Sequence, residues 1–115
     1  MFDFEKFEVY KKAKLFFNDI TTFLEESKRL NNRISDQLYR AALSIPLNIA
    51  EGAGRYSKPD KRNFYTIARG SVFECTAIID ILHDKDMLSQ NQKEEYYNKL
   101  EELSKMLSGL INSLR

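Results

Sequence analysis

The sequence predicts an all-α chain, an antiparallel up-down four-helix bundle that occupies residues 1–115 as a single domain. Three observations carry this expectation. Apolar residues recur at steps of three and four along four stretches, the period of an amphipathic helix. Only four Gly and two Pro stand among 115 residues, which favours a few long elements over many short strands. The breaks between stretches are short, and short connections place successive helices antiparallel and adjacent. An apolar content of 43% is enough for one core and too high for a disordered chain.

The first helix is predicted from about Phe4 to Ser27, with Phe7, Tyr10, Ala13, Phe17, Ile20 and Leu24 on its apolar line. Arg29-Leu30-Asn31-Asn32 is a polar break, and either Asn can cap the next helix. The second helix runs from about Asn32 to Gly52 or Gly54, either of which suits a left-handed terminal residue. Pro46 inside it predicts a kink or local loosening, because proline removes one ladder hydrogen bond. Ser57-Lys58-Pro59-Asp60 is a start signal, with Ser as N-cap and an acid three residues on, and the third helix then extends to about His83. Ser89-Gln90-Asn91-Gln92 opens the fourth in the same way. Its line Tyr96, Leu100, Leu103, Leu107, Leu110 and Leu114 alternates steps of four and three, an a/d seam.

What the chain lacks narrows its chemistry. Cys75 is the only cysteine and His83 the only histidine, so an internal disulfide and a multi-histidine metal site are both impossible within one chain. His83 falls near the predicted end of the third helix, where an imidazole serves as a helix-dipole partner or plain surface. Gly52-Ala53-Gly54 resembles the start of a dinucleotide-binding loop, but Ser57 stands at the third glycine and no strand precedes it. No phosphate-binding Gly-Lys-Ser/Thr loop occurs. No catalytic residue, metal site or cofactor is therefore expected, and the chain is read as non-enzymatic. The N-terminus shows no basic region followed by an apolar run, and no stretch is apolar enough to span a membrane, so a cytoplasmic protein is expected.

The second helix divides into three faces. Ile34, Leu38, Ala42, Ile45 and Ile49 fall together and are assigned to the core. Tyr39, Leu43, Leu47 and Ala50 form a second apolar stripe, which is either covered by the first helix or serves as a subunit interface. The third face is polar, with Arg33, Gln37, Arg40, Ser44, Asn48, Glu51 and Arg55: a solvated surface, an anion site or an inter-subunit network. Ser44 and Asn48 are poor mid-helix residues without a partner. On the third helix, Phe64, Ala68, Ser71, Cys75, Ile78 and Leu82 are assigned to the core, with Ala68, Gly70 and Ser71 suggesting close helix approach. Arg62, Tyr65, Arg69 and Phe73 are assigned to the outward face. Glu74 at the core margin needs a partner, and Arg40 is the expected one; Arg40, Glu51 and Glu74 are the candidates for a buried polar network that fixes register.

Charge is distributed unevenly. The whole chain carries a net +1, yet residues 28–69 hold nine cations against three anions, a net of +6, and the remainder nine against fourteen, a net of −5. The basic centre contains Arg55-Tyr56-Ser57-Lys58-Pro59-Asp60-Lys61-Arg62, cations with an aromatic among them. Such a mixture can hold phosphates and stack on unpaired bases. Arg40, Arg55, Lys58, Lys61, Arg62 and Arg69 are the predicted phosphate contacts and Tyr56 the stacking residue.

Ser44-Ile45-Pro46-Leu47-Asn48-Ile49-Ala50-Glu51-Gly52, followed by Arg55 and Ser57, resembles a signature segment of a bacterial family of four-helix-bundle proteins. That family is known as S23 ribosomal protein or 23S rRNA intervening-sequence protein, and it is related to the accessory variability determinant of diversity-generating retroelements. Ile67-Ala68-Arg69-Gly70-Ser71-Val72-Phe73-Glu74 resembles a second signature, Val9-Tyr10-Lys11-Lys12-Ala13 the opening segment with Tyr where Trp is common, and Met106-Leu107-Ser108-Gly109-Leu110-Ile111 the ending. The resemblance covers essentially the whole chain. It implies a ring-like homo-oligomer, with a pentamer favoured. For retroelement members it also implies binding of RNA and of a reverse transcriptase through a basic surface. Leu47 stands where a small polar residue is common, which favours the interface reading of its stripe. The expected function is a non-catalytic, oligomeric RNA-binding accessory protein, the alternative being a scaffold for a protein partner with no nucleic-acid role.

Overall fold

The computed structural model describes residues 2–115. A 3₁₀ turn over Asp3–Lys6 precedes four helices, α1 (Glu8–Glu26), α2 (Asn32–Ala53), α3 (Lys58–Asp84) and α4 (Gln90–Ser113). The longest, α3, has 27 residues, or about 40 Å at 1.5 Å per residue. This accounts for most of the 44 Å long axis of the molecule, whose other dimensions are 24 and 21 Å.

Cross-helix partners descend along one helix as they ascend the next, so each neighbouring pair is antiparallel. Gln37 meets Glu74 and Ser44 meets Ser71 between α2 and α3. Asp80 meets Lys93 and Arg69 meets Ser108 between α3 and α4. Lys12 meets Glu102 and Asp19 meets Lys99 between α1 and α4. Among neighbouring helices α2 and α3 approach most extensively and α1 and α4 least, and among the described residues the backbones of the diagonal pairs stay more than 8 Å apart, Cα to Cα. The bundle is thus a square of four helices in up-down order.

Each helix after the first starts on a signal in its sequence. Asn31 caps α2 by accepting from Ile34 N at 2.9 Å, and Ser57 caps α3 by accepting from Asp60 N at 3.2 Å. Ser89 and Gln92 form a reciprocal capping box at α4, with bonds of 3.1 and 3.0 Å. His83 lies in the last turn of α3, on the carbonyl end of the helix dipole. Helix α2 runs unbroken through the buried Pro46.

Several sequence expectations are corrected. The predicted first helix is two elements, because Phe7 is extended and separates the 3₁₀ turn from α1. The buried line of α1 is Val9, Ala13, Phe16, Ile20 and Phe23, whereas Phe7, Tyr10, Phe17 and Leu24 are only half-buried. A helix touching two neighbours buries more than one line, and the predicted line is the one turned towards α2, where Phe17 meets Tyr39 edge-on at 5.3 Å. Ile34 of α2 is likewise half-buried, and Ala41, Pro46 and Gly52 join its core face. On α3 the core line is Tyr65, Ala68, Ser71, Val72, Cys75, Ile79 and Leu82. Tyr65, expected outside, is buried; Phe64 and Ile78 are half-buried. The Leu100, Leu103 and Leu107 seam of α4 is buried as predicted.

No glycine of α2 takes a left-handed conformation; Gly54 caps the helix with φ −82°. Gly52 is required for space instead. A Cβ there would stand 2.8 Å from Tyr65 Cε1 and 3.0 Å from Phe64 Cβ, so the start of α3 leans directly on the backbone of α2. Gly70, by contrast, faces open space: nothing lies within 4 Å of the position its Cβ would take. Ala68 and Ser71 are the small residues at which α3 is buried.

Candidate nucleic-acid interface

The α2–α3 connection places the basic segment at one end of the bundle. Its five predicted residues there divide by what they already do. Tyr56 is fully exposed, at 102% of its reference area, and makes no packing contact that would hold its ring. Lys58, the first residue of α3, is exposed and forms no ion pair or hydrogen bond among the described residues. Arg55 pairs with Glu51 one turn earlier at 3.0 Å and lays its guanidinium 4.6 Å above the Phe64 ring. Lys61 donates to the Ala53 carbonyl at 2.9 Å and more weakly to that of Gly52, satisfying the orphan carbonyls at the end of α2. Arg62 donates to the Leu114 carbonyl and so fastens the C-terminal end of α4 to the start of α3.

Arg115 belongs to this end as well. It lines, with Pro59, Arg62, Asn63, Thr66 and Ile111, a surface depression of about 610 Å³. Sequence reasoning missed it because Arg115 is 53 positions beyond Arg62. The signal that could have found it is topology, since an up-down bundle returns the end of the fourth helix to the start of the third.

The other two predicted cations lie apart. Arg40 lies on α2 13 residues before its last residue, Ala53, roughly 20 Å along the helix from the basic end. It is exposed and forms no ion pair among the described residues. Arg69 is half-buried against α4, where its Nε donates to Ser108 Oγ at 2.9 Å and its guanidinium sits 4.7 Å from the Phe73 ring centroid.

The expected buried network of Arg40, Glu51 and Glu74 does not form. Glu74 is exposed and accepts from Gln37 Nε2, and Glu51 is exposed beside Arg55. The α3 core line passes through Ser71 and Cys75, which turns Glu74 outward, where Gln37 and not Arg40 is its partner. The buried polar contact between these helices is neutral. Ser44 and Ser71 hydroxyls are 2.8 Å apart, and Asn48 Nδ2 donates to Ser44 Oγ at 2.9 Å and to the Ser44 carbonyl at 2.8 Å. This supplies the partners that two mid-helix polar residues require.

The second apolar stripe of α2 is covered in part. Leu43 and Ala50 are half-buried and Tyr39 leans on Phe17, but Tyr39 remains 44% and Leu47 57% exposed. On α3, Ile67, Phe73 and Ile81 are exposed to a similar degree. A groove of about 500 Å³ between α3 and α4 is lined by Phe73, Ala77, Tyr97 and Leu100; its two carboxylates, Asp80 and Glu101, are engaged by Lys93 and Lys105. Cys75 is buried in the core, and burial, with Glu74 adding, pushes its thiol up to about 12. Among the described residues no three His, Cys, Asp or Glu side chains converge as a metal site, and no helix is long and apolar enough to cross a membrane.

The model of the family described as 23S rRNA-intervening sequence protein matches residues 5–109. The fold is similar to the crystal structure of a protein with unknown function from the S23 ribosomal protein family of Bacteroides thetaiotaomicron VPI-5482. The two are 26% identical with a TM-score of 0.83, over 90% of this chain and 97% of that one. No curated protein matches the chain.

Proposed function

Because this chain belongs to the 23S rRNA-intervening sequence protein family, we propose that it is a non-catalytic RNA-binding accessory protein acting in the cytoplasm as a homo-oligomer. The basic α2–α3 end is its contact surface. The observation that carries this reading is Tyr56, a fully exposed aromatic ring beside the unpaired Lys58, in a segment with a net charge of +6. A ring so placed stacks on a base at little ordering cost, and the neighbouring cations take phosphates. Lys58 and Arg40 are free to do so; Arg55, Lys61, Arg62 and Arg69 contribute charge from fixed positions. The sole histidine and sole cysteine support the non-catalytic part: His83 ends α3, and Cys75 is sealed in the core as a thiol.

Assembly is the second element of the proposal. The half-open stripe of Tyr39, Leu43, Leu47 and Ala50 is its interface, a ring its form and a pentamer the favoured count. A ring repeats the basic end around one axis and multiplies a weak single contact. Where the gene accompanies a retroelement, a reverse transcriptase is the protein partner. Exposed Leu47, Phe73 and Ile81 favour a second reading, in which the chain is a scaffold for a protein partner without RNA.

The test is fluorescence anisotropy with a structured RNA bearing an unpaired loop. Tyr56→Ala is expected to weaken binding by the about 1–3 kcal/mol typical of one stacked base. Lys58→Ala is expected to lower the slope of log affinity against log salt by about one. Unchanged affinity and slope in both variants would sink the RNA reading and leave the scaffold.

A further inference from the structure

Two surface depressions border the start of α3, and they differ in charge. The first holds the exposed Tyr56 ring together with Arg55, but Glu51 and Asp60 also line it, and Arg55 is already paired with Glu51. The second, of about 610 Å³, is lined by Pro59, Arg62, Asn63 and Thr66 of α3, by Ile111 of α4 and by Arg115 just beyond it. It has two guanidinium groups, an amide and a hydroxyl, and no carboxylate side chain lines it.

The donors of the second depression are uncommitted. Asn63, Thr66 and Arg115 are exposed, and their side chains form no hydrogen bond among the described residues. Arg62 is half-buried, and one terminal nitrogen is fixed on the Leu114 carbonyl, which leaves Nε and the other terminal nitrogen able to donate. A guanidinium anchored by one edge loses less side-chain freedom when its other edge meets a ligand. Neither arginine pairs with a carboxylate among the described residues, the α-carboxylate of Arg115 included. The carbonyl end of α4, which would repel an anion, is closed by the chain's own donors. Ser113 Oγ donates to the Leu110 carbonyl at 2.7 Å, the Leu114 amide to Ile111 at 3.2 Å and the Arg115 amide to Asn112 at 3.3 Å. Pro59 stands in the first turn of α3, the positive end of that helix.

Guanidinium forks match the oxygens of a phosphate group. A phosphodiester inside a strand offers one charge and two non-bridging oxygens, whereas a phosphate monoester carries close to two charges on three strong acceptor oxygens. Two arginines with two neutral donors exceed what the diester can accept and match the monoester. We propose that this depression binds a phosphate monoester, held by Arg62 and Arg115 with Asn63 and Thr66 as neutral donors. Lys58 lies one turn before Arg62 on the same row of α3 and links the depression to Tyr56. In taking the terminal phosphate of an RNA strand as one source of the monoester, the inference rests on the RNA reading above; a free nucleoside monophosphate is the other source of the same chemistry.

Anisotropy of one internally labelled RNA tests this on the full chain at fixed salt. The RNA is prepared with a 5′-phosphate, with a 3′-phosphate and with hydroxyls at both ends, and adenosine monophosphate is titrated separately by calorimetry. At least one phosphorylated RNA is expected to bind about tenfold more tightly than the hydroxyl form, the gain from one added charge-assisted contact. Arg115→Gln, whose side chain holds nothing else in place, and Asn63→Asp, which brings a carboxylate into the depression, should each remove that difference. Arg62→Gln should do the same, with circular dichroism checking that loss of the Leu114 contact leaves the helices formed. If the three RNAs bind equally and the nucleotide does not bind, the inference falls while the RNA reading stands. A preference for phosphorylated ends that survives Arg115→Gln and Asn63→Asp places the monoester elsewhere and overturns the inference. If no RNA binds but the nucleotide does, and Arg115→Gln abolishes its binding, the monoester site stands and the RNA reading falls. Binding of neither removes both.

Discussion

The hydroxyls of Ser44 on α2 and Ser71 on α3 lie 2.8 Å apart, and this contact joins the two most intimately packed helices. Asn48 adds a donor to Ser44 Oγ and also donates to the Ser44 carbonyl, while Ser71 also lies 3.2 Å from the Ile67 carbonyl, so both partners of the Ser44 hydroxyl have a backbone alternative. Ser44→Ala is therefore expected to cost about 1 kcal/mol, the net worth of one hydrogen bond, and no more. In a double-mutant cycle with Ser71→Ala, chemical denaturation should show the second change costing less than the first. Additive losses would mean the hydroxyls do not interact.

Two glycines in the same fold predict opposite outcomes. Gly52→Ala forces a Cβ to within 2.8 Å of Tyr65 and should destabilise by about 1–3 kcal/mol, the usual cost of overpacking. Gly70→Ala meets nothing within 4 Å and should stabilise the chain by up to about 1 kcal/mol through helix propensity. Urea midpoints measured on both variants check the pair.

Lys61 and Lys58 are three residues apart in one basic run, yet their substitutions should separate. Lys61→Ala leaves the carbonyls of Gly52 and Ala53 without their ammonium partner and should cost about 1 kcal/mol of stability. Lys58→Ala should leave stability within about 0.5 kcal/mol, as expected of a surface residue, and change only the salt dependence of RNA binding. Thermal denaturation of both variants at neutral pH distinguishes them.

Alkali should unfold the protein progressively from about pH 9. Burial raises the Cys75 thiol to about 12 and also raises Tyr65 and Tyr96, and the hydrogen bond to Asp19 raises Lys99. In each case the folded chain holds its proton more tightly than the unfolded chain. The stabilisation is therefore complete below the unfolded values, near 8.5 for Cys and 10 for Tyr and Lys, and is lost as pH rises through the folded ones. Cys75→Ala should move the onset of this loss upward, towards the tyrosine and lysine range. A thiol reagent at pH 8 should leave native Cys75 unmodified until the chain is opened by denaturant.

Three of the four helix starts were legible because each carries its own local chemistry, as at Asn31, Ser57 and Ser89. The core line of α4 was legible because it has one buried seam. The α1 line was displaced because a helix wedged between two neighbours has two apolar lines, and periodicity does not rank them. Tyr65 was read as outward because its burial depends on Gly52, thirteen residues earlier, making room for it. The candidate site divided for a similar reason. A basic run is visible in sequence, but whether a cation is free, like Lys58, or bound to its own backbone, like Lys61 and Arg62, depends on helix ends brought together by the fold. Arg115 joined the site by the same route.

The most direct test of RNA binding by an assembled basic end is size-exclusion chromatography with light scattering. The purified protein is run with and without a structured RNA, at low and at high salt. The protein should elute as an oligomer, shift to a larger complex with RNA at low salt and release it at high salt. An oligomer whose mass is the same with and without RNA at both salts would contradict RNA binding.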